Sequence, residues 1–370
     1  MNVRERFIET LRGGKADRVP LMLDGFLFAS RAEIDALTDP RQREIAHRLF
    51  DYCAAFENCP SEVNRYLVTP PQFMREKDRK ERDGTVIVTT EIATPKGPLT
   101  AITSQNPLTR TTWTVKYPVE SLDDVDRMLS VPWELPSGIA PPDRTKLPPG
   151  FHERCLVRTA ISSPFVCAAG MMPYQYFLEL CAVERALIRE LTDVCAERVT
   201  RILDVLLAGD AIDYVWMGGC EWLTPPMASP RLYEELVQGY EAKIIERVHQ
   251  SGAVCHVHCH GNVRSTLEMV IERGADFFEP VEPPPDGDIS FAEAKALAAG
   301  RMTLGGNIEA RLIENEDAEA VEAATRAAFE GGKERMVLKA TEGLVREMTP
   351  RMLENYHRII DVWEELSPLD

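Results

Sequence analysis

From residue 155 onward the chain alternates two patterns. Short apolar runs at 155–160, 213–217, 254–258, 276–281, 302–306 and 336–340 have the length of buried strands. Between them, apolar residues recur every three or four positions, predicting helices over 173–182, 184–208, 229–250, 262–273, 290–299 and 317–330. Ser229-Pro230 and Thr349-Pro350 each put proline in a first helical turn, so each opens a helix. Upstream, Val3, Phe7, Ile8 and Leu11 predict a helix over 2–13, stopped by Gly13-Gly14. The run 18–24 reads as a first strand ending in Asp24, and a helix follows near 41–57. Strand–helix alternation implies parallel strands joined by right-handed crossovers. With the first strand near residue 20, the count leaves room for eight. The fold predicted is α/β, a (β/α)8 TIM barrel. An open doubly wound sheet is disfavoured, because no G-x-G-x-x-G follows any strand.

Residues 85–117 break this rhythm. Alternating β-branched residues on either side of Pro95-Lys96-Gly97-Pro98 predict a β-hairpin, and 110–116 a third strand. This is read as a small antiparallel β-hairpin insertion, a lid or a dimer contact, within one barrel domain spanning 1–370. The stretch 131–150 holds six prolines and reads as a surface linker back into the barrel.

A chain of 370 residues suits one barrel with insertions. The net charge of −17 argues against nucleic acid as a partner, because phosphate contacts need Lys/Arg patches. No apolar run approaches the ~20 residues of a membrane span, and the N-terminus lacks an apolar signal core, so a cytoplasmic location is the expectation. Nine cysteines without a C-x-x-C pair read as reduced, buried thiols. Of these, Cys220 and Cys259 lie near the chemistry that follows.

Three of the seven histidines fall at 256, 258 and 260. Strand side chains alternate, so the three imidazoles share one face. Barrel active sites sit at the C-terminal ends of the strands. There the chain places Asp24, Glu221, the histidines, Glu279, Glu282, Gly305-Gly306-Asn307, Glu309 and Glu342. A strand histidine is ordinarily a hydrogen-bonded core residue, the role given to His256, deepest in its strand. His258 and His260, nearer the mouth, are assigned metal ligation. Glu221 reads either as a further ligand or as a loop bridge. Glu279 and Glu282 precede Pro283-Pro284-Pro285 and read as solvated loop acids. Gly305-Gly306-Asn307 reads as a turn. Asp24 has acid–base potential if buried at the mouth.

These features occur in an order that resembles the uroporphyrinogen decarboxylase superfamily, including its cobamide-dependent methyltransferase branch. The matching pieces are Arg4-Glu5-Arg6-Phe7 with Asp17-Arg18-Val19-Pro20, then Thr94-Pro95-Lys96-Gly97 and Ser229-Pro230-Arg231-Leu232-Tyr233. They continue with His258-Cys259-His260-Gly261-Asn262, Gly305-Gly306-Asn307-Ile308, and Thr349-Pro350 leading to Glu354-Asn355. The resemblance implies a (β/α)8 barrel, and dimerisation is common among such barrels.

Its two branches imply different chemistry. The decarboxylases use no metal and hold a porphyrinogen around an aspartate, with N-terminal arginines on its carboxylates. Here Leu23-Asp24-Gly25-Phe26-Leu27-Phe28 stands in that region, with only Arg31 nearby, which favours the other branch. The methyltransferase branch has a His-x-Cys zinc site with a distant cysteine near the last strand. Aligned on Gly261-Asn262, His258 takes the histidine position and His260 the cysteine position, while Thr341-Glu342 stands at the distant one. The resemblance therefore implies a zinc or other divalent-ion site of His258, His260, Glu221 and Glu342. Asp24, Glu221 and Glu342 are expected to be catalytic, and Asn262, Gly306 and Asn307 to bind the cofactor. The expected reaction is methyl transfer from a corrinoid or methoxy-derived donor to a thiol, with a corrinoid as co-substrate and a corrinoid protein as partner. Cofactor-free decarboxylation around Asp24, oriented by Arg158 and Arg31, is the alternative. A non-catalytic barrel that binds a corrinoid protein is the second.

Overall fold

The computed structural model describes every residue except Thr109, Arg110, Pro149, Val345 and Asp370. It divides into two compact units. The first comprises Met1–Cys59, Pro142–Thr159 and Asp210–Asp370; the second comprises Pro60–Pro141 and Ala160–Gly209.

Twelve strands are described: β1 (Leu21–Met22), β2 (Ala55–Cys59), β3 (Met74–Arg82), β4 (Thr85–Ile92), β5 (Leu99–Gln105), β6 (Thr112–Lys116), β7 (Cys155–Ser162), β8 (Tyr214–Gly218), β9 (Val254–His258), β10 (Phe277–Glu279), β11 (Thr303–Ile308) and β12 (Met336–Ala340). Eight form a parallel sheet in the order β1-β12-β11-β10-β9-β8-β7-β2. Read from β2, that is chain order, with β1 joined beyond β12. It is the neighbour sequence of a (β/α)8 barrel, as the alternation of patterns predicts.

The strand the sequence hides is β2. The helix foreseen over 41–57 ends at Leu49, and Ala55–Cys59 pairs with β7 in register Ala55↔Cys155 to Cys59↔Thr159. Glu57 and Asn58 are exposed, so this barrel strand lacks the continuous apolar run that marks the others.

The core of the first unit gathers Phe7, Ile8 and Leu11 with Met22, Leu156, Tyr214, Val254, Phe277 and Val337. The first three come from the helix Val3–Arg12, which Asn2 and Glu5 start with a reciprocal capping box and Gly13 ends in a left-handed conformation. Phe7 meets Phe56 at 6.0 Å, Tyr214 at 6.1 Å and Phe277 at 6.2 Å between ring centroids. One helix thus packs on aromatic residues from β2, β8 and β10.

In the second unit, β3-β4-β5-β6 form an antiparallel sheet. The hairpin and its third strand are present as β4, β5 and β6, while Thr109 and Arg110 of the expected 85–117 segment lie outside the described residues. The sheet begins earlier than foreseen, because Met74–Arg82 adds a fourth strand. Eight of its nine residues are exposed, so no alternation announces it. Ladder bonds to β4 and the ion pairs of Arg75 and Lys77 with Glu91 hold it. The foreseen linker 131–150 includes Pro149, outside the described residues; short helical turns at Arg144–Lys146 and Phe151–Arg154 lead into β7.

Candidate active site

The site is built on β8 to β12. Strand β9 pairs with β10 so that His258 stands opposite Glu279, and with β8 so that Gly218 stands opposite His258. Two glycines make the space. A Cβ on Gly218 would lie 2.3 Å from the Trp216 indole, and one on Gly305 would lie 2.6 Å from the Phe277 ring and 2.8 Å from Glu279 Cβ. The segment read as a turn at Gly305-Gly306-Asn307 is instead part of β11, and Gly305 is needed for close packing.

Glu279 is the centre. It is 2% exposed. Its Oε1 accepts from His258 Nδ1 at 2.7 Å and lies 2.7 Å from His256 Nε2. Its Oε2 faces Lys339 Nζ at 3.5 Å, and the same ammonium bonds Asp24 Oδ2. His256 Nδ1 lies 2.5 Å from the Tyr214 hydroxyl. His256 Nε2 and Glu279 Oε2 are both shielded from solvent, so these contacts are made without competing water.

Charge follows from this packing. Burial pushes the Glu279 carboxyl up, but Lys339 and the two imidazoles outweigh it and hold the group ionised, well below the usual range. Burial pushes Lys339 down, and Glu279 and Asp24 more than reverse that. Burial drives His256 down to about 4 despite Glu279, so it is neutral at pH 7. The Nε2–H of the neutral ring donates to Glu279 Oε1, and Nδ1 accepts from the Tyr214 hydroxyl.

A second layer lies outward. His260 Nδ1 meets Glu282 Oε1 at 2.8 Å, and Gly261 N–H donates to Glu282 Oε2 at 2.5 Å. Burial lowers the His260 imidazole, but Glu282 raises it further, for a net rise. These residues, with Glu221, Thr224, Met227, Asn262 and Asp286, line a cavity of about 440 Å³. Beside it, burial and the charges of Asp286 and Glu282 push the Glu309 carboxyl up to about 7. A separate cavity of about 290 Å³ is lined by Asp24, Phe28, Phe56, Asn58 and Arg158.

Among the described residues, two groups have donor atoms within 4.8 Å of one another: His256 with His258 and Glu279, and Cys220 with Glu221 and Cys259. Of the four ligands the resemblance implied, His258 and His260 adjoin with ring centroids 4.6 Å apart, and Glu221 shares the larger cavity with His260. His258 is in the first group and Glu221 in the second, while His260 pairs with Glu282 and Glu342 is exposed just past β12. Asp24 is half-buried on Lys339. Asn262 lines the larger cavity, and Gly306 and Asn307 lie in β11, where Asn307 stands opposite Lys339. His256, placed in the core by sequence, is buried but belongs to the first group. Glu279 and Glu282, read as solvated acids, are 2% and 8% exposed, because imidazoles and a backbone N–H partner them. Lys339 and Tyr214 drew no functional reading. A lysine inside the apolar run 336–340 was the available signal, since lysine is rarely buried unpaired.

The first group fits a divalent ion. Neutral imidazole and carboxylate are zinc donors, and one donor atom from each of the three residues lies within 4.8 Å of the others. Among the described residues, no helix is long and apolar enough to cross a membrane.

Among solved structures, the fold is similar to that of a methyltransferase from Methanosarcina mazei, at 15% identity and a TM-score of 0.60, covering 99% of each chain. A B12-independent methionine synthase from Shewanella sp. W3-18-1, in complex with selenomethionine, matches at 10% identity and a TM-score of 0.40, over 80% of this chain and 75% of that one. A putative vitamin-B12 independent methionine synthase from Listeria monocytogenes matches at 16% identity and a TM-score of 0.38, over 57% and 64%. No curated protein sequence matches. The sequence profile described as uroporphyrinogen decarboxylase (URO-D) matches residues 147–363, more than half of the chain, within which all the strands that build the site except β1 and β2 fall. The chain therefore belongs to the uroporphyrinogen decarboxylase family.

Proposed function

We propose that this protein is a metal-dependent methyltransferase of its family, moving a methyl group from a corrinoid or methoxy-derived donor to a thiol. The observation that carries this reading is the convergence of His256, His258 and Glu279, whose donor atoms lie within 4.8 Å of one another with His256 and Glu279 buried. The likeness in fold to a methyltransferase adds support. A zinc or similar divalent ion held there would polarise a substrate thiol and stabilise its thiolate, the nucleophilic form. The chain's own residues prepare the place. Tyr214 fixes the His256 ring, Lys339 keeps Glu279 ionised, and Trp216 flanks His258 at 5.0 Å between centroids. A neutral His260 imidazole bonded to the Glu282 carboxylate at the wall of the larger cavity would be a base able to receive the proton a thiol gives up.

Elemental analysis of protein purified without added metal tests the reading. Near-stoichiometric zinc, lost in His256→Ala and His258→Ala, supports it. No metal after incubation with zinc at neutral pH ends it.

A second reading rests on one observation. The Lys339 ammonium spans Asp24 and Glu279, a cluster neutralised in part without any ion. Asp24 also lines the smaller cavity together with Arg158. That arrangement suits cofactor-free decarboxylation of a polycarboxylate such as uroporphyrinogen. Turnover of uroporphyrinogen, abolished by Asp24→Asn, would establish it in place of methyl transfer.

A further inference from the structure

We infer that Cys220, Glu221 and Cys259 form a second metal site, selective for soft or borderline ions such as Zn²⁺, Cd²⁺ or Co²⁺. It is distinct from the imidazole–carboxylate group and does not depend on that group binding an ion.

The three residues come from two neighbouring strand ends. Cys220 and Glu221 begin the short turn Cys220–Leu223 after β8, and Cys259 is the first residue past β9. Strand alternation turns Cys259 away from the face of His258, so its sulfur belongs to a different group of side chains. One donor atom from each residue lies within 4.8 Å of the others. Both cysteines are buried, at 1% and 0% exposure. The two thiols face each other, and each also makes a weak sulfur-length contact to a backbone carbonyl, Cys220 Sγ to His258 O at 3.9 Å and Cys259 Sγ to His260 O at 3.8 Å. Neither contact would hold a thiol against a metal.

The carboxylate gives an independent reason. Glu221 Oε2 is shielded from solvent and has no hydrogen-bond partner. An unpaired carboxylate oxygen costs stability unless something binds it. Glu221 also lines the larger cavity, which supplies a path for an ion. Two thiolates and one carboxylate form an S2O donor set, which selects soft or borderline ions over magnesium or calcium. Binding would release the two thiol protons to solvent and form two metal–sulfur bonds, with no change of oxidation state. The fourth position is left to water or substrate.

Cobalt substitution reads this site directly. The protein is loaded with Co²⁺ in the presence of a phosphine reductant, which keeps the thiols reduced, and its near-ultraviolet absorption is recorded. Thiolate-to-cobalt charge transfer should appear in the wild type. It should fall at least tenfold in Cys220→Ser and in Cys259→Ser, weaken in Glu221→Gln, and persist in His258→Ala, which addresses the other group. No charge-transfer band in the wild type, or a band undiminished in both serine variants, overturns the site. Should the serine variants not fold, zinc-soaked wild-type crystals decide it. An anomalous peak between the Cys220 and Cys259 sulfurs supports the site, and zinc elsewhere without one there overturns it. A cobalt band from this site with a metal content unchanged in His256→Ala and His258→Ala would count against the methyltransferase reading and leave this one standing.

Discussion

The Lys339 ammonium lies 3.5 Å from Glu279 Oε2 and also bonds Asp24, so one buried cation joins carboxylates contributed by the turn after β1 and by β10. Lys339 is 4% exposed in its side chain and Glu279 2%. Breaking a buried pair from one side leaves a charge without compensation. Lys339→Met is therefore expected to cost roughly 3–5 kcal/mol in urea unfolding. Adding Glu279→Gln should recover part of the loss. A single variant as stable as the wild type would show that the pair is not what holds this region.

His256 sets a pH dependence. Burial depresses its pKa to about 4 in the folded state, against an ordinary 6.5. A base whose folded pKa is depressed binds fewer protons when folded, so acid favours the unfolded chain. Stability contributed by neutral His256 should be complete above 6.5 and decline as the pH falls towards 4, by a few kcal/mol at the order-of-magnitude level. Urea midpoints between pH 7 and 4.5 measure this, and His256→Gln should flatten the slope. An equal slope in that variant would assign the effect to other groups.

His260 moves the opposite way, because Glu282 more than offsets its burial. In Glu282→Gln the imidazole should titrate at lower pH than in the wild type, as read by NMR of labelled histidine. Below the wild-type pKa the charged pair contributes stability, which is lost as the pH rises through that value. An unchanged titration would show that the 2.8 Å contact carries no charge coupling.

Gly305→Ala should destabilise by crowding Phe277 and Glu279. Its Cβ would fall 2.6 Å from the Phe277 ring and 2.8 Å from Glu279 Cβ, an overpacking expected to cost about 1–3 kcal/mol. Metal content should fall with it if Glu279 is displaced. Neutral stability would mean that β10 yields more readily than its burial suggests.

The barrel was legible where its strands are buried on both faces. Such strands leave apolar runs, as in Met336–Ala340 and Val254–His258. It was illegible at Ala55–Cys59, where exposed Glu57 and Asn58 interrupt the run; in the antiparallel sheet, Met74–Arg82 was equally hidden, being held by backbone ladder and ion pairs. The histidine cluster stood out because imidazoles at every second position share a face. Its partners did not, because Glu279, Glu282 and Lys339 owe their burial to neighbours distant in sequence. Proline after an acid suggested a solvated loop, but the loop folds the acid inward onto His260.

The contact between Phe7 and Phe277 has a consequence for how this chain is made. The helix Val3–Arg12 leaves the ribosome with an apolar face bearing Phe7, Ile8 and Leu11. Its partner ring on β10 emerges only after the intervening sequence, which at roughly 5–20 residues per second takes on the order of 15–50 s. During most of that interval the apolar face has only part of its native core to meet, first Phe56 and later Tyr214. The nascent barrel thus has a built-in waiting period, during which its opening segment is a natural client for a chaperone.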